Sequence, residues 1–260
     1  MPGLYPGIAF YLILSNVPAL KTLLWGTLLA ALLTAPAAHA QRKPGNSAAP
    51  GTGETPPRPA RLQPLFGGLP AAEAARLFGP ARLEAIAASF ASRAEASTFF
   101  ANKGFEYLSE NQPDTATYRF NLAWLLNPQN ASAYRGLGVV ASAQPTPDAA
   151  IALLSQGLAL APADDLLLSD LGTSHLIRYG LSKKKKDLST GTELLQRATT
   201  VAPTNGVAWQ QLARAYYYQE KYLQAWEAVH KGRSVDMSSI DFGLIPELQA
   251  KYPDPQGMFK

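Results

Sequence analysis

The apolar positions divide the chain into stretches with different periods. Thr22 to Ala35, "TLLWGTLLAALLTA", is an almost unbroken apolar run. Apolar side chains then thin out over residues 41–64, "QRKPGNSAAPGTGETPPRPARLQP", which has almost nothing to bury and is expected to be a disordered tether. Between Leu69 and Phe90 the apolar residues return at helical spacing, broken once by Gly79-Pro80, which predicts two short helices. Long amphipathic stretches follow, and Ser92-Arg93-Ala94-Glu95 reads as a capping box that starts the first of them near Arg93. Near the end, Phe242, Leu244, Ile245, Leu248 and Tyr252 are spaced to cover a preceding helix pair, with Pro246 tolerated in a first turn.

Within the amphipathic region the smallest side chains sit where a helix would bury something. A glycine inside a helix costs roughly 1 kcal/mol relative to alanine, so Gly104 needs a reason, and close approach of a second helix is the usual one. The same pattern recurs. Gly104, Gly138 and Gly172 are spaced 34 and 34 apart; Pro128, Pro162 and Pro203 by 34 and 41; Ala116, Ala150, Gly191 and Ala225 by 34, 41 and 34. Three series share one register, with a single seven-residue insertion between Gly172 and Gly191, in "RYGLSKKKKDLSTG".

A 34-residue period with two helices per unit resembles the tetratricopeptide repeat (TPR). The last unit matches best, with Trp209, Leu212, Ala213, Tyr216, Tyr222 and Ala225 at the signature positions. The first carries Phe100, Gly104, Tyr107, Ala116, Phe120, Ala123 and Pro128, but Lys103 where an apolar residue is usual. The second has Ala141 in place of a tyrosine, and the third, the most divergent, has His175 there. The resemblance implies an all-α, right-handed superhelical array of antiparallel helix pairs. About four units are expected, over 97–130, 131–164, 165–205 and 206–239, within a repeat region of 93–239. Flanking helices over 65–92 precede it and a capping helix with tail over 240–260 follows. In each unit the small residue of the first helix is expected to face that of the second.

The resemblance also implies a use. Arrays of this family present their first helices along a concave groove that receives protein segments. The matching positions include Phe105, Leu108, Arg135, Val139, Leu176, Gln210, Arg214 and Tyr217, an apolar stripe flanked by two arginines. The expected ligand is a short segment with apolar side chains and at least one carboxylate; the expected alternative is a groove covered by the chain's own helices between Leu69 and Phe90. The family's chaperone-tail clamp uses several lysines and asparagines, and only Arg135 and Arg214 offer positive charge here.

Composition narrows the chemistry. The 260 residues contain no cysteine, which excludes disulfides, thiolate nucleophiles and zinc–thiolate sites. A net charge of +4, scattered along the chain, does not point to nucleic acid. His175 and His230 lack the spacing of a metal helix, no serine sits in a nucleophile elbow, and no glycine run forms a phosphate cradle. No cofactor and no catalytic residue is expected. The reading is a non-enzymatic scaffold for another protein or peptide segment in an envelope complex, the alternative being an envelope enzyme acting on polysaccharide or peptide. Lys183, Lys184, Lys185 and Lys186, in the insertion, should form an exposed basic turn; a solvated charge run is the plain reading, and contact with anionic lipid or a wall polymer the sharper one. Asn130-Ala131-Ser132 is a formal glycosylation sequon in a tight turn between units.

The front of the chain reads as a leader over 1–40. The fourteen residues Thr22 to Ala35 would span about 21 Å as a helix, short of the roughly 30 Å hydrocarbon core. Ala38 and Ala40 have the spacing of a signal-peptidase site, so export to the periplasm or the exterior with Gln41 as first residue is expected. The segment before Lys21 suggests a true start near residue 20; if Met1 begins the chain, an uncleaved anchor is the alternative.

Overall fold

The computed structural model describes residues 58–145 and 147–259. The leader and residues 41–57 of the tether lie outside the described residues. Two short helices, α1 (Ala71–Phe78) and α2 (Pro80–Ala87), precede four helix pairs: α3 (Arg93–Ser109) with α4 (Pro113–Leu126), α5 (Ala131–Ala141) with α6 (Asp148–Leu160), α7 (Asp165–Ser182) with α8 (Lys185–Val201), and α9 (Gly206–Tyr218) with α10 (Tyr222–Val235). A last helix, α11 (Leu244–Gln249), closes the array. Among the described residues the fold is an all-helical repeat superhelix. Each pair packs on the next, so the core runs lengthwise through the stack, as such arrays require.

Local chemistry sets the helix starts. Ser92 accepts a hydrogen bond from the Glu95 amide at 3.1 Å, and the Glu95 carboxylate accepts from the Ala91 amide at 3.0 Å. Asn130, Asp164 and Asn205 cap α5, α7 and α9 in the same way, each accepting an amide hydrogen bond from the first turn at 2.9–3.0 Å. These caps stand at the turns between units, so they set where each new unit begins.

The gaps in the helix faces are filled in two ways. In the third pair the expected small-on-small contact occurs: a Cβ built on Gly191 would lie 3.0 Å from the Gly172 carbonyl oxygen, so the two backbones are nearly in contact. In the first pair a ring fills the gap. The Phe120 ring, fully buried, lies where a side chain of Gly104 would be, 2.4 Å from its built Cβ. The same ring lies 2.1 Å from a Cβ built on Gly136 of α5. One phenyl group from α4 is thus seated against the bare backbones of α3 and α5, and Gly136, outside the recurring series, is the second half of its seat.

The array's front is more extensively packed than its composition suggests. From Phe120 to Leu126, every residue of α4 is buried, so this helix is covered on all sides. The covering is supplied by the segment ahead of α1. Residues Ala60–Leu62 form a 3₁₀ turn, and Phe66, 2% exposed, packs on Trp124 with ring centroids 6.5 Å apart. The Asn121 side chain, fully buried, donates to the Arg61 and Gln63 carbonyls at 3.1 and 2.8 Å and accepts from the Leu65 amide at 2.9 Å. Residues 58–64, assigned to the tether by composition, are therefore built into the fold. Their own side chains bury little; a carboxamide from α4 satisfies their backbone instead.

At the other end, Leu244, Ile245 and Leu248 are buried against the last pair as expected, whereas Phe242 is 70% and Tyr252 42% exposed. The tail completes the cap. Trp226 of α10, fully buried, donates its indole N–H to the Tyr252 carbonyl at 2.9 Å and stacks with His230 and Phe259. The Asp254 carboxylate accepts from the Gln256, Met258 and Phe259 amides and meets His230 Nε2 at 2.7 Å.

Candidate functional site

The face formed by α3, α5, α7 and α9 carries the residues expected to line a groove. Leu108, Val139 and Leu176 are 5%, 6% and 4% exposed and belong to the core between helices. Gln210 is also buried, while Phe105 and Tyr217 are half-buried. The apolar stripe is thus shorter than the spacing implies.

The two arginines are committed to different degrees. The Arg135 guanidinium lies 4.9 Å over the Phe105 ring and its Nε donates to Asp170 at 2.8 Å, so side chains of α3, α5 and α7 form one row across three units. Phe105 is held from below by an edge-on contact with Phe120, centroids 4.9 Å apart. Burial pushes the Asp170 carboxyl above its ordinary value even though the guanidinium opposes it. Arg135 spends one of its five N–H donors on this pair, and no other described residue takes a hydrogen bond from it. Arg214 is spent more fully. It pairs with both Asp241 and Glu247, fastening α9 to the capping segment.

The insertion does not make a long loop. It lengthens the third pair to helices of 18 and 17 residues, joined by Lys183, in the left-handed region at φ 55°, and Lys184. Lys183 to Lys186 are all exposed, as expected, with the Lys183 ammonium 5.5 Å over the Tyr179 ring and Lys185 and Lys186 in the first turn of α8.

The extended helices also create a polar cluster that the sequence did not disclose. Asp187 accepts from Arg178 Nη2 at 2.7 Å and lies 2.9 Å from His175 Nδ1, while Arg178 Nη1 donates to Asp148 of α6 at 2.8 Å. The Arg178 hydrogen bonds, joined by His175, hold the Asp187 carboxyl below the usual carboxylate range despite its burial. The cluster ties α6, α7 and α8 together. Among the described residues no cluster of metal-ligating side chains occurs, and no helix is long and apolar enough to cross a membrane. In the sequon, Asn130 Nδ2 donates to the buried Ser97 hydroxyl at 2.7 Å, so the nitrogen that a glycan would join is occupied within the fold.

The flanking segment packs on α4 and on the start of α3: Phe78 lies 6.0 Å from Tyr118, and Phe90 lies 5.2 Å from Phe99 and 6.0 Å from Phe100, centroid to centroid. It thus covers the second helix of the first pair and meets the first helix near its start.

Among solved structures, the chain is similar to Pseudomonas aeruginosa PilF, with 21% identity over 64% of this chain and 74% of that one and a TM-score of 0.51. It is also similar to the MamA protein (18% identity, 62% and 83% covered, TM-score 0.46) and to the APC/C hetero-tetramer Cut9-Hcn1 (19%, 70% and 41%, TM-score 0.36). These are TPR-containing proteins, and the PilF likeness bears on the fold alone. No family model and no curated protein matches the sequence.

Proposed function

We propose that the chain is a non-enzymatic scaffold, exported to the cell envelope, that holds a segment of another protein along the face of α3, α5, α7 and α9. The observation that carries this reading is the row Phe105–Arg135–Asp170, three side chains from three units fixed in one line by contacts of 4.9 and 2.8 Å. Fixing a cation over a ring before a ligand arrives lowers the ordering cost of binding. An incoming segment would lay one apolar side chain on Phe105 and a second on Tyr217. It would offer a carboxylate or a backbone carbonyl to the terminal nitrogens of Arg135. Apolar anchors supply most of the affinity in such an arrangement, and the charge fixes register. Arg214 acts here as a strut, so reversing its charge loosens the cap rather than the ligand.

Photo-crosslinking amino acids placed at 105, at 217 and, as a control, at the exposed Leu223 of α10 test the proposal in native cells. Capture of the same protein from 105 and 217, and not from 223, is expected; equal capture from all three, or capture from 223 alone, overturns it. Export is tested separately by intact mass, with Gln41 expected as the first residue.

A further inference from the structure

A second concave feature lies in the first unit, where the flanking segment crosses α4. A pocket of about 570 Å³ opens there, walled by Phe66, Leu77, Phe78 and Tyr118, with Arg61 and Arg82 on its rim. That volume falls within the range of formed ligand sites, and so does the makeup of mostly apolar walls with a few convergent polar groups. Leu77, 58% exposed, leaves a large aliphatic side chain uncovered at its mouth.

The rim charges are what give the pocket a direction. Nearby arginines are neutralised inside the fold: Arg58 pairs with Asp114, and Arg93 with Glu84. Arg61 and Arg82 have no carboxylate partner among the described residues, and Arg82 instead lies 5.1 Å over the Phe78 ring. That ring adjoins Tyr118, whereas the neighbouring Arg119 is taken up among the rings of Phe100, Tyr107 and Tyr118, at 5.6–5.7 Å from each, and does not line the pocket. A guanidinium stacked on a ring keeps its in-plane donors aimed outward, ready to take a carboxylate side-on.

We propose that this pocket binds an acidic protein segment in which an aromatic residue stands beside carboxylates, the ring entering against Phe78 and Leu77 and the carboxylates meeting Arg61 and Arg82. The charge complementarity is local, since the rim is cationic in a chain of small net charge. This pocket and the Phe105–Arg135 row lie on different helices, so either site is able to stand without the other.

The probe is the peptide N-acetyl-Ser-Asp-Phe-Glu-Ser-amide, titrated into the full chain and followed by two-dimensional NMR. Expected are saturable shifts at Leu77, Phe78 and Tyr118, at least tenfold weaker binding of the Asn/Gln version of the peptide, and at least tenfold loss in Arg61→Gln/Arg82→Gln with its thermal midpoint unchanged. Four results overturn the proposal: equal binding of the neutral peptide, indifference to the double substitution, shifts that map to Phe105 and Tyr217 instead, or binding of 3-phenylpropanoate as tightly as the peptide, which would mark a small-acid pocket. Pocket resonances that ignore the peptide but move in Glu54→Gln would place the chain's own upstream segment there, and also refute it. Should the double variant lose stability, Arg82→Lys serves in its place. It keeps the charge without the stacked planar fork, and is expected to weaken the peptide severalfold.

Discussion

Gly136→Ala should destabilise the protein although it removes a glycine from a helix. Alanine there would ordinarily gain about 1 kcal/mol of helix propensity. The new Cβ, however, would stand 2.1, 2.3 and 2.4 Å from Cε1, Cζ and Cδ1 of Phe120. Those distances are well inside van der Waals contact, and the ring has little room to retreat, being fully buried, seated on Gly104 and braced edge-on by Phe105. Overpacking of this kind costs typically about 1–3 kcal/mol, and ring contacts this short argue for the upper end, so a net loss of roughly 1–2 kcal/mol is expected. The decisive variant is Phe120→Val, which removes all three clashing ring atoms. By itself it should cost less than the about 3–5 kcal/mol of truncation to alanine. In that background Gly136→Ala should become stabilising by up to about 1 kcal/mol, reversing its sign. Urea titration of the four proteins gives the coupling, which should reach roughly 2 kcal/mol. Additive effects, with Gly136→Ala equally harmful in both backgrounds, would refute the shared seat for Phe120.

Asn121→Ala removes three hydrogen bonds to the backbone of residues 61–65, each orphaned group costing roughly 1–3 kcal/mol unless water reaches it. Hydrogen exchange should show residues 58–66 losing protection while α5 to α10 keep theirs; unchanged protection over 58–66 contradicts the clamp. Burial alone would raise the Asp254 carboxyl, but the Phe259 and Gln256 amides together with His230 outweigh it and hold it below its ordinary value of 3.8. The tail contact is therefore present above that value and lost as pH falls through the lower, folded-state value, so protection of the Met258 and Phe259 amides should collapse only in strong acid. Asp254→Asn should remove that dependence. Replacing Lys183 to Lys186 by glutamine should leave the thermal midpoint within about a degree, because all four side chains are exposed. Unchanged retention on anionic vesicles after that replacement would retire a membrane role for the turn.

The periodic part of the architecture was legible because a stacked repeat writes its packing into the sequence at fixed spacing: Gly104, Gly138 and Gly172 recur every 34 residues, each where a side chain or backbone of another helix is seated. Features that occur once were harder to read. Asn121 sits in "FNLAWLL", a run too apolar all round for a helix with a wet face, and that pattern was the available signal that something else covers α4. Its partner segment gave no sign, because main-chain groups bound by a side chain leave no apolar trace. Gly136 escaped because it falls outside the 34-residue series, although a second glycine two residues before Gly138 was visible. At the candidate groove, spacing identified which residues face one way but not how deep they lie. Leu108, Val139 and Leu176 are at the expected positions and are covered by neighbouring helices, while Asp241 and Glu247, which occupy Arg214, are far from it in sequence.

The central claim, that a partner lies along the first helices of the array, is tested most directly by hydrogen exchange on the full chain, alone and in complex with whatever protein is crosslinked through residue 105. Binding should add protection to α3, α5, α7 and α9 around Phe105, Arg135, Asp170 and Tyr217, and leave α6, α8 and α10 unchanged. Added protection confined to α6, α8 and α10, or to the Lys183 turn, would contradict it.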